Sequence, residues 1–317
     1  MAKLDRDNPL MEALLDKHVL LITGKGGVGK STVAAAMARL ASERGRRVLL
    51  LELESVSRVG PLFGLAAVGP QPQQAADNLW VACLQATDLL RFFAMQQLKI
   101  AALVNLALRN RAVDSFFRAV PAIKPILFLY QLWHTEVHHG PAGDRQWDLI
   151  VCDLPTSGFA AGMYAIPETL MSVFRFGPVG QYGQGMRQML VDPRRTGLVL
   201  VSLPELLPVT ETLELHEMLR ARYQVETAAV VINGTMPQAL KLGELQQAAD
   251  KLTGTPHEPW LWAAELLQSR HDRGTQAGER LRQSLPGRVL ELPYLLRRSL
   301  PLAAIDELAA ALLREAP

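Results

Sequence analysis

Seven short apolar runs punctuate the chain: HVLLIT (18–23), RVLLLEL (47–53), LWVACL (79–84), WDLIVCD (147–153), GLVLVSL (197–203), AAVVIN (228–233) and RVLEL (288–292). Each has the length of a buried strand, and none shows the polar alternation of a strand with one face in water. Longer stretches with helical apolar spacing separate them. Continuous apolar strands alternating with helices predict an α/β fold, a doubly wound and mainly parallel sheet covered on both faces. Between the third and fourth runs, over 85–143, no strand-like run occurs and helical spacings dominate. That stretch predicts an inserted α-helical subdomain within a single domain spanning 1–317. The turn formers GPAGD (140–144) return the chain to the sheet, and GPQPQQAADN (69–78) predicts a polar loop.

Composition narrows this picture a little. With 317 residues, 49% hydrophobic and 20% charged, the chain can hold one large α/β domain or two small ones. A net charge of +2 gives no strong sign of a nucleic acid or an anionic membrane as partner. The pairs Arg46-Arg47, Arg194-Arg195 and Arg297-Arg298 read as solvated surface pairs or local basic patches. Two cysteines, neither in a CxxC pair, build no disulfide framework and fit a reducing compartment. The first residues lack an apolar signal core, and no run approaches the roughly 18 to 20 residues of a membrane span. The expectation is a soluble, cytoplasmic protein.

The chemistry concentrates in LITGKGGVGKSTV (21–33). Gly24-Lys25-Gly26-Gly27-Val28-Gly29-Lys30-Ser31 satisfies GxxxxGK[ST] directly after a strand and before an alanine-rich helix that carries Thr32. Glycines let backbone N–H groups close on phosphate oxygens, and the helix N-terminus adds its positive end. Lys30 reaches the terminal phosphates, and Ser31 offers a hydroxyl to Mg²⁺. The pattern therefore predicts ATP and Mg²⁺ as cofactors. Lysine is scarce here, eight against 25 arginines, yet two stand five positions apart in this loop, which leaves Lys25 to be explained.

An acidic residue is expected at the end of a neighbouring strand, and WDLIVCD supplies Asp153, followed by the turn Leu154-Pro155-Thr156-Ser157-Gly158-Phe159. The second run ends in Glu52-Leu53-Glu54-Ser55. Alternation points Glu52 and Glu54 to the same side, so either can orient the attacking water or be a solvated strand end. AAVVIN delivers Asn233, whose amide both donates and accepts and so can read an adenine edge.

On these residues the sequence resembles the deviant Walker A ATPases, marked by the lysine after the first glycine, and within them the ArsA-like anion-transporting and tail-anchored-protein-targeting group. DPRRTGLVLVSLPELLPVTETLEL (192–215) is similar to that group's strand and PE-x-x-PVTET segment, WDLIVCDLPTSGF to its switch II and VVIN to its adenine strand. The resemblance implies a dimeric ATP-binding and ATP-hydrolysing switch, paired with itself or a paralogous subunit and coupled through its helical insert to a protein client, hydrophobic in character. It also implies that Lys25 crosses a two-fold interface to the partner's nucleotide. Glu54 stands where the family carries a water-positioning aspartate, and Phe159 where switch II carries histidine, so hydrolysis is expected to be slow. The metalloid-binding cysteines and the inter-subunit CxxC of relatives have no counterpart, which disfavours arsenite transport. A positioning ATPase of the ParA or MinD type, bound to DNA or membrane as a dimer, is the alternative. The acidic, amphipathic tail IDELAAALLREAP argues against an anionic membrane.

Two features stay open at this level. His134 and His138 of HTEVHH share a helical face and can hold a metal if a third ligand exists. RFFAMQQLKIAALVNLAL (91–108) and PAIKPILFLYQLW (121–133) can bind a client helix, or can be the interior of a small subdomain or a subunit interface.

Overall fold

The apolar runs lie side by side in one sheet. A computed structural model describes residues 8–98, 123–138, 145–236, 247, 249–251, 253–256 and 258–314. Asn8 caps α1 (Pro9–Leu15), its Oδ1 accepting from Leu10 N at 3.0 Å. There follow β1 (Val19–Gly24), α2 (Lys30–Glu43), β2 (Val48–Glu52), a 3₁₀ turn at Gly60–Phe63, β3 (Gln73–Ala76), β4 (Leu79–Cys83), α3 (Ala86–Leu98) and α4 (Ile123–Val137). The second half continues with β5 (Leu149–Asp153), α5 (Ser157–Val173), α6 (Pro178–Val191), β6 (Thr196–Ser202) and α7 (Leu206–Tyr223). It closes with β7 (Thr227–Thr235), α8 (Glu258–Ser284), β8 (Val289–Pro293) and α9 (Leu302–Ala311).

The strand order is β3-β4-β2-β5-β1-β6-β7-β8, parallel throughout except for the antiparallel β3–β4 edge. All seven predicted strands are present. The eighth, β3, occupies the predicted polar loop, because an edge strand needs one partner and no apolar face. Its Gln73 and Gln74 stay exposed while pairing with Val81 and Trp80.

The lack of alternation has a direct cause. Leu21, Leu49, Leu51, Ile150, Leu198 and Val230 point into one core, while Leu20, Leu50, Val151, Val199 and Val231 point into another on the opposite face. Successive side chains of a strand face opposite ways, so a sheet covered on both sides needs apolar residues at every position. α2 and α9 cover the second core, joined also by Arg39 Nε to Asp306 Oδ1 at 2.7 Å.

The segment 85–143 begins with α3 and ends after α4; its central residues, 99–122, lie outside the described residues. α4 forms a wall of the main fold, since Phe128, Leu129 and Leu132 are buried in the same core as Leu51 and Ile150. Its last turn carries Glu136, a buried carboxylate that accepts from Arg195 and faces His18 Nδ1 at 3.3 Å and Arg145 at 3.7 Å. This cluster anchors α4 at the ends where β1 and β6 begin.

The order in which strands are added reverses at β1. From there the chain passes to β2, with β5 later inserted between them, and β6 adds on the other side. Ligands of open parallel sheets bind at such a switch point, beyond the carboxyl ends of the strands.

Candidate active site around the loop after β1

Gly24 ends β1 where a Cβ would lie 2.3 Å from the Val201 carbonyl of β6, so only glycine lets the chain leave the strand this close to its neighbour. Gly29 enters α2 with φ +87°, in the left-handed region, and a Cβ there would sit 2.1 Å from Asn233 Nδ2. That nitrogen donates to the Val28 carbonyl at 2.9 Å, which ties β7 to the loop. No side chain caps α2, so its first N–H groups and its positive end face the loop Gly24–Gly29. Gly26 and Gly27 carry no packing constraint of this kind, and Val28 is buried.

Lys30 is 8% exposed and folds back over the loop, its Nζ donating to the Lys25 carbonyl at 3.0 Å. Burial lowers its pKa, opposed by the charges of Asp153 and Glu54 and reinforced by that of Arg58. Ser31 Oγ donates to Asp153 Oδ2 at 2.5 Å across to β5, and Thr32 follows on the helix. Asp153 Oδ1 is buried without a partner. The carboxyl pKa is pushed up to about 6, first by burial and then by Glu52 and Glu54, while the Ser31 hydrogen bond and Lys30 pull it down. A hydroxyl, an unpartnered carboxylate oxygen and a nearby ammonium are a donor set that fits hydrated Mg²⁺ beside a phosphate. The residues present therefore suit both groups.

The acidic pair after β2 separates. β2 ends at Glu52, the register partner of Asp153, and the chain turns there, so alternation does not extend to Glu54. Glu52 is fully buried, accepting from Ser57 Oγ, from Arg58 N at 2.8 Å and from Val59 N at 3.0 Å. It shapes the loop and has no open face for water. Glu54 is the partly exposed member, its Oε1 3.4 Å from Arg58 Nη2. Phe159, in the first turn of α5, packs edge-on to Phe128 of α4, centroids 6.0 Å apart.

Lys25 has its own partner: its ammonium is ion-paired with Glu211 of α7, the two side chains 50% and 35% exposed. Together with Gly24, Val201, Pro208 and Met218 they line a cleft of about 370 Å³ beside the loop. Glu211, Glu52 as a clamp and Arg58 were not identifiable as site residues from spacing. Glu211 lies within the PVTET segment, which is the signal that pointed to its neighbourhood.

A profile of the anion-transporting ATPase family matches residues 17–182 and 180–251. The chain belongs to this family. Among its relatives, the ATPase BagA of Mycobacterium tuberculosis is 30% identical over 243 residues, covering 73% of this chain and 68% of that one. An arsenical pump-driving ATPase of Acidiphilium multivorum is 26% identical over 236 residues, 69% of this chain and 40% of that protein. The ATPase ASNA1 homolog 1 of Paramecium tetraurelia is 22% identical over 267 residues, 71% and 78% of the two chains.

Outside the loop, this member of the anion-transporting ATPases places several sequence features in structural roles. His134 is packed among Phe92, Tyr130 and Trp133, and no group of three or more metal-capable side chains occurs among the described residues. Cys83 ends β4 and Cys152 lies inside β5, both buried. Arg46, Arg47, Arg194, Arg195 and Arg297 each pair with a carboxylate, which breaks up the local basic patches. The C-terminal apolar stripe is core, since Ile305, Leu308 and Ala309 of α9 are buried against α2. No helix among the described residues is long and apolar enough to cross a membrane.

Proposed function

We propose that this ATPase binds Mg-ATP in the crevice after β1, hydrolyses it slowly and works as a dimeric switch coupled to a protein client. The observation that carries the nucleotide reading is the Ser31–Asp153 hydrogen bond at an uncapped helix N-terminus, with Asp153 Oδ1 buried and unpartnered beside Lys30. In this reading the loop amides from Gly24 to Ser31 cradle the phosphates, and the Lys30 ammonium exchanges the Lys25 carbonyl for the terminal phosphates. Ser31 and Asp153 would hold Mg²⁺, which would supply positive charge to offset that on the phosphate oxygens. Glu54 orients the water, and the free side of the Asn233 amide meets the base. Thr32 lies in the first turn of α2, where its N–H faces the phosphates. A glutamate one methylene longer than aspartate places water less well, which supports slow turnover.

The dimer and the client belong to the same reading. Lys25 crosses to the nucleotide of a second subunit, a copy or a paralogue, and 85–143 carries the nucleotide state to the client. The Phe159–Phe128 contact supports that route, because it joins the turn after Asp153 to α4. The test is calorimetry with ATP, with and without Mg²⁺, on the parent and Lys30→Ala. The expected result is Mg-dependent binding that Lys30→Ala loses by a factor of a hundred or more, about 3 kcal/mol for a buried charge-assisted contact. Equal affinity in the two proteins removes the assignment of this loop. Amide exchange with ATP should change protection in 85–143 as well as around the loop.

A further inference from the structure

Arg58 stands in an unusual setting. The backbone around it is clamped: the buried Glu52 carboxylate accepts from Arg58 N, Val59 N and Ser57 Oγ, and Ser57 Oγ in turn accepts from Gly60 N at 2.8 Å. Burying a carboxylate is costly unless its hydrogen bonds replace water, and here they are directed at three consecutive residues, 57 to 59. The Arg58 side chain is left 66% exposed, touching Glu54 Oε1 through Nη2 at 3.4 Å. An exposed ion pair of that length contributes little. The clamp therefore fixes where Arg58 leaves the backbone, and the weak pair leaves its head free to move.

The location gives the head something to move to. Glu52 is in register with Asp153 on the adjacent strand, so the clamped loop borders the crevice. Arg58 and Glu54 both lie within Coulombic reach of Lys30, and Glu54 within reach of Asp153. Resting on the Mg-ATP reading above, we propose that Arg58 is a cis-acting cation for the terminal phosphate, held by Glu54 in the nucleotide-free protein and transferred to the γ-phosphate when ATP binds. A guanidinium fork matches phosphate oxygens in two-point fashion and prefers them to a single long carboxylate contact. The transfer has a second effect. Glu54, paired with Arg58 until a γ-phosphate takes the guanidinium, becomes free to accept from water only when that phosphate is present. Arg58 so distinguishes ATP from ADP and couples that distinction to the water-orienting carboxylate. Its guanidinium also stabilises the charge that spreads over the transferring group, as arginines supplied in cis do in other phosphoryl-transfer sites.

The test compares the parent with Arg58→Ala, Arg58→Lys and Glu54→Gln. The readouts are Mg-dependent binding of ADP and of a non-hydrolysable ATP analogue by calorimetry, then turnover, then thermal unfolding. Arg58→Ala should unfold like the parent, because the clamp uses backbone N–H groups. It should bind ADP within about twofold of the parent and the ATP analogue about ten to a hundredfold more weakly, the span for losing a hydrogen-bonded charge. Arg58→Lys should recover part of the analogue affinity as a point charge. Glu54→Gln, which removes the weak pair competing for Arg58, should raise the ratio of analogue to ADP affinity by no more than about fivefold while losing turnover. A parental ratio in Arg58→Ala overturns the proposal, even if turnover changes. So does an equal loss of both nucleotides, which would make Arg58 a structural residue. If the parent binds neither nucleotide, the reading of the site itself fails and this inference goes with it.

Discussion

At the scale of single residues, Asp153 carries a measurable cost. Its carboxyl titrates near 6 in the folded chain against 3.8 ordinarily, mainly through burial. The folded state thus holds the proton more tightly than the unfolded state between about pH 4 and 6. Stability should fall as pH rises through that window, and the penalty should be fully present above it. Asp153→Asn is expected to stabilise the nucleotide-free protein at pH 7.5 by about 2 kcal/mol, and by almost nothing at pH 4, in denaturant titrations. The same variant should lose Mg-dependent nucleotide binding. A stability difference independent of pH would show that the ionised carboxylate is satisfied in a way its unpartnered Oδ1 does not reveal. The placement of this residue beside Ser31 was legible from sequence only in combination, because an acidic residue after an apolar strand is common and gains meaning from the glycine-rich loop at Gly24. Its elevated pKa was not, since that depends first on burial in the folded crevice and then on Glu52 at the end of β2 and Glu54 in the turn after it.

At the scale of elements, the two connections that shape the crevice depend on backbone geometry. Gly29→Ala forces a side chain into the left-handed region and against Asn233 Nδ2. It should cost about 1–3 kcal/mol and abolish ATP binding, as read by thermal unfolding and calorimetry. A well-folded variant that binds ATP would mean that the turn can relax without harm. Glu52→Gln keeps the shape but weakens the charge-assisted bonds to residues 57–59. Amide exchange at Arg58 and Val59 should then quicken, with a stability loss of about 1–3 kcal/mol. Unchanged protection there would remove the clamp. Periodicity placed Glu52 and Glu54 together as candidates for water, but the strand ends at Glu52 and the turn gives them opposite fates. The edge strand β3 was also missed, because exposed glutamines leave no hydrophobic signal. α4 read as part of an insert from its helical spacing, although Phe128 and Leu132 pack in the main core.

At the scale of the whole molecule, the pairing of Lys25 with Glu211 sets the terms for a dimer. If Lys25 is to act on a partner's nucleotide, its ammonium must leave Glu211. Both side chains are partly exposed, so the pair is worth about 0–1 kcal/mol and is easily exchanged. Glu211→Gln should strengthen nucleotide-dependent association by no more than about fivefold, whereas Lys25→Ala should bind ATP yet associate poorly and lose most turnover. Sedimentation with a non-hydrolysable analogue separates these outcomes. If Lys25→Ala associates and hydrolyses ATP like the parent, the trans role is wrong.

The sequence alone determined the parallel, two-faced sheet, because doubly buried strands must be apolar at every position, and it determined the phosphate loop, because glycine, lysine and serine at those spacings serve a local backbone shape. Both are properties of short segments. Tertiary structure alone decided which carboxylate is a clamp, which is left beside the crevice, and what holds Lys25 and Arg58. Lys25 and Glu211 stand 186 positions apart and meet only because α7 packs beside the loop after β1. The Glu52 clamp and the Glu54–Arg58 pair join close neighbours in the chain, but the turn that β2 makes on leaving the sheet beside β5 decides which carboxylate faces inward. A charge has no partner until the fold supplies one.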